Sequence, residues 1–257
     1  MGRPTRHQFA GAIYHITTRG NRRAHIFADD IDKQIWYRIL CETASRFQLV
    51  VYGVCLMPNH FHLLFETPDA NLSSAMQYLN GKYAHKFNWR HGLTGHLFQG
   101  RFGDTHVVRQ EHLLELLRYI VLNPVRAALV EHPDEWPWSS HVYLSGFHEA
   151  PPWLNVDWAL DQFSGATMLA KKLAYRVFVD ARIPLSKRRY YARPEVIERI
   201  HEIPSIPTLE QFARLHLDRS MAVAAAWACG GYSRDQIARY FGISTRTVSR
   251  MTRTTAC

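Results

Sequence analysis

His60-Phe61-His62 is the first arrangement in this chain able to do chemistry. In an extended strand alternate side chains leave by the same face, so both imidazoles point one way and Phe61 points the other, toward a core. Two neutral imidazoles on one surface can hold a divalent ion. Fifteen histidines in 257 residues also give roughly one His-x-His by chance, so the pattern alone leaves two structural histidines as an open reading. Tyr119 and Asn123 stand four residues apart and share a face if their segment is helical. Taken alone, Tyr119 reads as a partly buried aromatic of an amphipathic helix, and Asn123 can equally be the residue ending it before Pro124. No Walker-type glycine loop and no Asp/Glu constellation of a two-metal nuclease stands out, which argues against hydrolysis of phosphodiesters.

The elements that must position these residues follow from periodicity. Ala12 to Thr18 is rich in β-branched and aromatic residues and ends in the basic turn Arg19-Gly20-Asn21-Arg22-Arg23. From Asp29 to Phe47, Ile31, Ile35, Ile39, Leu40, Ala44 and Phe47 recur at helical spacing behind an acidic start. Leu49 to Leu56 and His60 to Glu66 read as strands joined through Met57-Pro58-Asn59. Asn71 to Trp89 predicts a helix with Asn71 as its N-cap, and Leu97 to Val108 an extended stretch. Glu111 to Asn123 predicts a helix with Leu113, Leu114, Leu117 and Ile120 on one face, interrupted by Pro124, which has no N–H for the carbonyl of Ile120. Strand, helix, strand, strand, helix, strand, helix suits a split βαβ, ferredoxin-like sheet with its helices on one face.

Beyond Glu131 the Pro- and Trp-rich run around His132 to Trp138 and Pro151 to Trp153 reads as a wrapping segment leaving the sheet domain. Residues 157–191 look helical, and Ile203-Pro204-Ser205-Ile206-Pro207 reads as a linker. There is no internal repeat and no low-complexity tract.

Composition narrows the partners. A hydrophobic content of 47% over this length supports a real core. Thirty-one Lys and Arg against 22 Asp and Glu leave a formal charge of +9, which favours a polyanion such as nucleic acid. Aromatics at 12% can fill a core or stack on unpaired bases. Cys41, Cys55, Cys229 and Cys257 show no CxxC spacing, so neither a zinc knuckle nor a disulfide framework is indicated. With no apolar run near the roughly 20 residues that cross a bilayer, and no signal-peptide core at the start, the expected setting is cytoplasmic, nucleoid-associated when bound to DNA.

Four blocks carry a resemblance. Cys55-Leu-Met-Pro-Asn-His-Phe-His-Leu-Leu-Phe65 resembles the HUH motif of the REP-associated tyrosine transposases, relatives of the single-tyrosine transposases that move DNA as single strands. Arg118-Tyr-Ile-Val-Leu-Asn-Pro-Val-Arg-Ala127 resembles that family's tyrosine helix, Gly95-His-Leu-Phe-Gln-Gly-Arg-Phe102 the block before it, and Thr17-Thr-Arg-Gly-Asn-Arg-Arg23 a fourth. The likeness runs from about Gly2 to Gly146, in order. It implies that His60 and His62 are metal ligands and Tyr119 the nucleophile, with Asn123 placed by helical geometry to complete the metal site. Relatives often use Gln at that turn. The implied chemistry is attack of the tyrosine oxygen on phosphorus, assisted by Mg²⁺ or Mn²⁺, leaving a 5′-phosphotyrosine and needing no ATP. Zinc stays open as the ion. A phenol needs a nearby cation or base to attack near neutral pH, and the sequence names no base.

Arg19, Arg22, Arg23 and Arg101 lie in or beside loops of these blocks, where guanidinium groups can hold phosphates or stack on bases; a solvated basic edge is the alternative. Near the end, Ser233 to Met251 reads as a helix-turn-helix, with Arg219 to Cys229 as a supporting helix and a Trp-repressor-like character. Ile237, Ala238 and Phe241 mark one buried face, Gly242 the turn, Ser244 the next cap, and Val248 with Met251 the second buried side. Residues 230–257 hold five arginines and one aspartate, a net charge of +4. Thr245, Arg246, Thr247, Ser249 and Arg250 would then face a duplex groove; a small helical packing module is the alternative.

The expected architecture is α+β: a ferredoxin-like split βαβ catalytic domain followed by an all-α helix-turn-helix domain. The expected division is 1–130 for the single-tyrosine transposase domain, 131–205 for a wrapping and helical connector, and 206–257 for the DNA-binding domain. The expected activity is metal-dependent cutting and rejoining of single-stranded, repeat or hairpin DNA, with duplex DNA held by the C-terminal unit. Two rivals stay open: a non-cutting transcriptional regulator derived from such an enzyme, and a metal-dependent RNA-binding protein.

Overall fold

The computed structural model describes residues 8–107, 111–184, 207–216, 218–228 and 232–254. Four strands, β1 (Ala12–Arg19), β2 (Val50–Met57), β3 (His60–Thr67) and β4 (Gly103–His106), form one sheet in the order β2-β3-β1-β4 with every neighbouring pair antiparallel. Helices α1 (Asp30–Phe47) and α2 (Leu72–His91) connect β1 to β2 and β3 to β4, which is the expected split βαβ topology.

Alternation divides the sheet into two buried faces. Tyr14, Ile16, Val54, Leu56, Phe61, Leu63 and Phe65 pack with Ile35, Trp36, Ile39 and Leu40 of α1 and with Met76, Leu79 and Tyr83 of α2. Tyr52, Cys55, Met57 and Leu64 face the other way, against Leu113, Leu117, Ile120 and Val121 of α3 (Glu111–Val121). The expectation of helices on one face is therefore corrected. The apolar stripe of α3 needs its own surface, and only the face opposite α1 and α2 is free. A bulge between Val51 and Gly53 marks that contact in β2. A Cβ at Gly53 would stand 2.5 Å from Leu117 Cδ1, so glycine there sets how closely α3 approaches.

Several boundaries differ from expectation for legible reasons. Asp29 caps α1, accepting from the backbone N–H of Asp32 at 3.0 Å. Asn71 holds the N-cap position of α2 but makes no cap bond; its Nδ2 donates to the carbonyl of Phe47 at 3.1 Å, tying the two helices instead. Of the extended stretch expected over Leu97 to Val108, the described residues, which end at 107, yield only β4, because Gln99 donates to the carbonyl of Arg19 and Leu97 accepts from Asn21, binding 97–99 to the end of β1 and the loop after it. The helix expected to reach Asn123 stops at Val121 and resumes as α4 (Asn123–Arg126). Ala128, just past α4, has a positive φ of 54°.

The segment expected to leave the sheet domain runs along it. Leu56 donates to the carbonyl of Trp138, Ser140 to that of Val54 and Asn155 to that of Val51, each at 2.8 Å. These bonds satisfy the outer edge of β2, which would otherwise expose unpaired polar groups. Three further helices follow: α5 (His141–Leu144), α6 (Val156–Leu160) and α7 (Met168–Asp180). Leu160, Tyr175 and Val179 join the core that α3 shares with the sheet. Of the helical stretch expected over 157–191, residues 185–191 lie outside the described residues, as do 203–206 of the linker.

The C-terminal helices are α8 (Leu209–Leu215), α9 (Arg219–Ala228), α10 (Arg234–Phe241) and α11 (Thr245–Thr254). Phe212, Val223, Ala226, Ile237, Phe241 and Val248 form their separate core. Ser233 and Gln236 make a capping box at α10, and Gly242 ends it at φ 58°, a conformation that favours glycine. Ser244 Oγ accepts from Thr247 N–H at 3.1 Å at the start of α11. Lys86 of α2 donates to the carbonyl of Trp227 at 2.9 Å with its ammonium 3.6 Å from that indole's centroid, so the helical unit rests on α2.

Candidate active site

The face of the sheet turned toward α3 carries the polar cluster. On β1, His15, Thr17 and Arg19 alternate with the core residues Tyr14, Ile16 and Thr18; the register sets Thr17 opposite His62 and Arg19 opposite His60. His60 and His62 thus leave by one face, their ring centroids 5.0 Å apart, while Phe61 enters the core on the other. The tyrosine reaches this cluster from above: the ring of Tyr119 lies 6.0 Å from His62 and 6.4 Å from His15. Tyr119 remains 41% exposed, open to a large substrate.

Hydrogen bonds orient one imidazole unambiguously. Asn59 Nδ2 donates to the carbonyl of Arg23 at 3.1 Å, which fixes the amide so that Oδ1 faces His60 Nδ1 at 2.7 Å. A carbonyl oxygen only accepts, so His60 carries its proton on Nδ1 and leaves Nε2 as a lone pair. His62 Nδ1 lies 3.0 Å from His15 Nε2 and 3.3 Å from Thr17 Oγ1, while His62 Nε2 is buried without a partner among the described residues.

Electrostatics keep both rings neutral. Burial, then the charge of Arg19, pushes the His60 pKa down to about 4. Burial, followed by His15, His60 and Arg19, pushes His62 down to about 3. Burial also lowers His15. Neutral imidazoles with free Nε2 atoms are the form that binds a cation. An orphaned buried nitrogen on one ring and a freed one on a second, the two rings 5.0 Å apart on one face, are donors of the type a divalent ion takes. Among the described residues no group of three or more His, Cys, Asp or Glu gathers to hold a metal.

Asn123 does the structural work its place before Pro124 suggests. Its Nδ2 donates to the carbonyls of Tyr119 at 3.0 Å and Ile120 at 3.2 Å, supplying the donor that Pro124 lacks. Both bonds use Nδ2 and neither uses Oδ1. One turn on, the guanidinium of Arg126 stacks on the Tyr119 ring, Cζ 4.5 Å from its centroid. Arg118, beside the tyrosine, is buried in the opposite direction: it donates to the carbonyl of Phe178 at 3.0 Å, lies 4.1 Å from that ring and pairs with Glu115. It anchors α3 on α7.

Arg19, Arg22 and Arg23 are exposed at the end of β1 and in the following turn, where Arg22 and Arg23 adopt positive φ of 52° and 61°. Arg101 lines a cavity of about 630 Å³ with Phe98, Phe102, Gln77 and Asn80. On α11, Thr245, Arg246 and Arg250 are exposed, and Thr247 and Ser249 half-buried. The structure thus brings together His60, His62 and Tyr119, with Asn123 on the same helical course. Arg19 also belongs to this face, opposite His60 in the sheet register and with its charge acting on both histidines, whereas Arg101 lines the cavity beside α2 and the α11 residues lie on the C-terminal unit. Sequence reasoning missed His15, Thr17 and Arg126. The alternation of Tyr14 and Ile16 was a usable signal for the outward turn of His15, but its pairing with β3 was not readable.

Comparisons with known proteins find similarity in sequence and in fold. Residues 8–123 match the family described as "Transposase IS200 like". A REP-associated tyrosine transposase, so named, from Haemophilus influenzae is 28% identical over 111 residues, covering 38% of this chain and 62% of that protein. The chain therefore spans less than two thirds of that relative's length. A solved REP-associated tyrosine transposase bound to a REP hairpin superposes with a TM-score of 0.50 at 19% identity, over 65% of this chain and 96% of the other. That likeness is one of fold.

Proposed function

We propose that this protein cuts and rejoins single-stranded DNA through a covalent tyrosine intermediate, a reading supported by the match of residues 8–123 to the family described as "Transposase IS200 like". The observation that carries the reading is the convergence of an exposed tyrosine from α3 with two neutral histidines of β3, the Tyr119 ring 6.0 Å from that of His62. Tyr119 Oη attacks the scissile phosphorus. The new O–P bond replaces the bond to the 3′-oxygen, which departs as a hydroxyl, and the 5′-phosphate stays on the tyrosine. One phosphodiester is exchanged for another, so no nucleotide cofactor is consumed.

A divalent ion, Mg²⁺ or Mn²⁺, would polarise a non-bridging phosphate oxygen. His60 and His62 would hold it through Nε2, with Asn123 Oδ1 as the third protein ligand, since the Asn123 bonds use Nδ2 alone. Burial keeps both imidazoles uncharged at neutral pH. Arg126 holds positive charge over the attacking phenol. The exposed Arg19, Arg22 and Arg23 would grip the phosphates of a hairpin, and Arg101, beside Phe98 and Phe102, an unpaired nucleotide.

The C-terminal unit has a separate role in this reading. Thr245, Arg246, Thr247, Ser249 and Arg250 of α11 would enter a duplex groove, with residues 206–257 as a DNA-binding domain joined through the connector 131–205 to the catalytic part, 1–130.

The test is covalent trapping. With labelled single-stranded or hairpin DNA and Mn²⁺, wild-type protein should form an alkali-stable adduct on Tyr119, while Tyr119→Phe binds the hairpin and forms none. A tyrosine-linked adduct in Tyr119→Phe would assign the nucleophile elsewhere. Hairpin binding without any adduct from wild type would favour a non-cutting DNA-binding protein.

A further inference from the structure

His62 has two ring nitrogens in unlike surroundings. Nδ1 faces His15 Nε2 at 3.0 Å and Thr17 Oγ1 at 3.3 Å. Nε2 is buried with no partner among the described residues. The rings of His15 and His62 lie nearly parallel, 19° apart in plane, with centroids at 5.2 Å. A neutral imidazole carries one proton, so only two arrangements are open. If His15 donates from Nε2, His62 accepts at Nδ1 and must place its own proton on Nε2, where nothing accepts it and no cation can bind. If His62 donates from Nδ1, either His15 Nε2 or Thr17 Oγ1 can accept, and Nε2 keeps a lone pair. The second arrangement leaves no buried N–H unmet at His62. It also matches His60, whose Nδ1 proton is fixed by Asn59.

We propose that His15 fixes the tautomer of His62, holding the proton on Nδ1 so that Nε2 presents its lone pair beside that of His60. This rests on the metal-dependent reading above and makes His15 a positioning residue, acting through His62. Partners of this kind orient metal-binding histidines and raise their basicity. The antiparallel register supplies the geometry: Thr17 opposite His62 puts His15 one alternate position along the same face. Thr17, at 3.3 Å, is the weaker partner, so His15 carries most of the preference.

Long-range proton–nitrogen spectra of ¹⁵N-histidine-labelled full-length protein, without added metal, report which ring nitrogen is protonated; His62→Gln assigns the signal. The wild-type protein should show His62 protonated on Nδ1. Mn²⁺ titration followed by electron paramagnetic resonance should then give an affinity about 10- to 100-fold weaker in His15→Phe, which keeps the ring stacking but removes the acceptor. His15→Gln, which restores a carbonyl acceptor, should recover most of the loss. His62 protonated on Nε2 in wild type would overturn the inference. So would equal losses in His15→Gln and His15→Phe, since His15 would then act by packing. An Nδ1 proton on His62 in protein that neither binds Mn²⁺ nor forms the adduct would uphold the tautomer and overturn the metal-dependent reading.

Discussion

Arg126 follows Tyr119 in the chain by about two helical turns, and its guanidinium covers the phenol ring at 4.5 Å. Placed there, a fixed positive charge stabilises negative charge both on the attacking oxygen and on the phosphate it approaches. Arg126→Ala should therefore slow single-turnover formation of the covalent adduct by about 10- to 100-fold, the equivalent of ~1.5–3 kcal/mol for a hydrogen bond to a charged group. Arg126→Lys should restore part of the rate through charge alone, lacking the planar stack. Adduct formation at the wild-type rate in folded Arg126→Ala would leave the arginine with a packing role only.

At the scale of elements, the position of α3 decides whether Tyr119 reaches the histidines, and two devices set it. The first is Gly53, where an added Cβ would lie 2.5 Å from Leu117 Cδ1 in a fully buried contact. Gly53→Ala should cost about 1–3 kcal/mol in a urea melt, as overpacking does, and should slow adduct formation although no site residue changes. Gly53→Ala with Leu117→Val, which withdraws the obstructing methyl, should recover much of both. The second device is the buried network behind α3. His132 Nε2 meets Asp180 at 3.0 Å, and Asp134 joins His132 to His141 at 3.2 and 2.7 Å. Burial opposes charge on His132, yet the hydrogen bonds and charges of Asp134 and Asp180 outweigh it and raise its pKa above 6.5. Burial likewise opposes charge on Asp134, but the bonds from His132 and His141 lower its pKa well below 3.8.

The signs follow from these shifts. A raised histidine stabilises fully below its unfolded value near 6.5 and loses that contribution as pH rises through its folded value; a lowered aspartate stabilises above 3.8 and loses it as pH falls. The network should thus support the fold best between those values. The melting-temperature gap between wild type and His132→Gln should narrow as pH is raised from 6 to 9. A gap that widens over that range would show that His132 is not held charged.

At the scale of the molecule, the sheet and the C-terminal helices have separate cores yet touch through Lys86, Trp89 and Trp227. If α11 holds duplex DNA, its arginines set the salt dependence of that binding while leaving the chemistry alone. Arg246→Ala with Arg250→Ala should weaken duplex affinity and flatten the slope of log K against log salt by about 2, near 0.9 for each phosphate that is no longer neutralised. Cutting of a short single strand at saturating concentration should be unchanged. An unaltered slope, with cutting impaired, would mean that the C-terminal unit completes the active site.

The sequence by itself determined the order of strands and helices, the shared outward turn of His60 and His62, the helix bearing Tyr119, and the turn at Gly242 with the cap at Ser244. These rest on local periodicity and on residue types with fixed backbone preferences, which need no partner to be read. Tertiary structure alone decided which face of the sheet received α3, because an amphipathic stripe says that it must be covered without saying by what. It also decided that His15 meets His62, since strand register is a relation between residues 47 apart in sequence. It turned Asn123 into a donor for the Tyr119 carbonyl and for the Ile120 carbonyl that Pro124 leaves unmet, and it ran the Trp-rich segment along β2, where unpaired edge groups required partners.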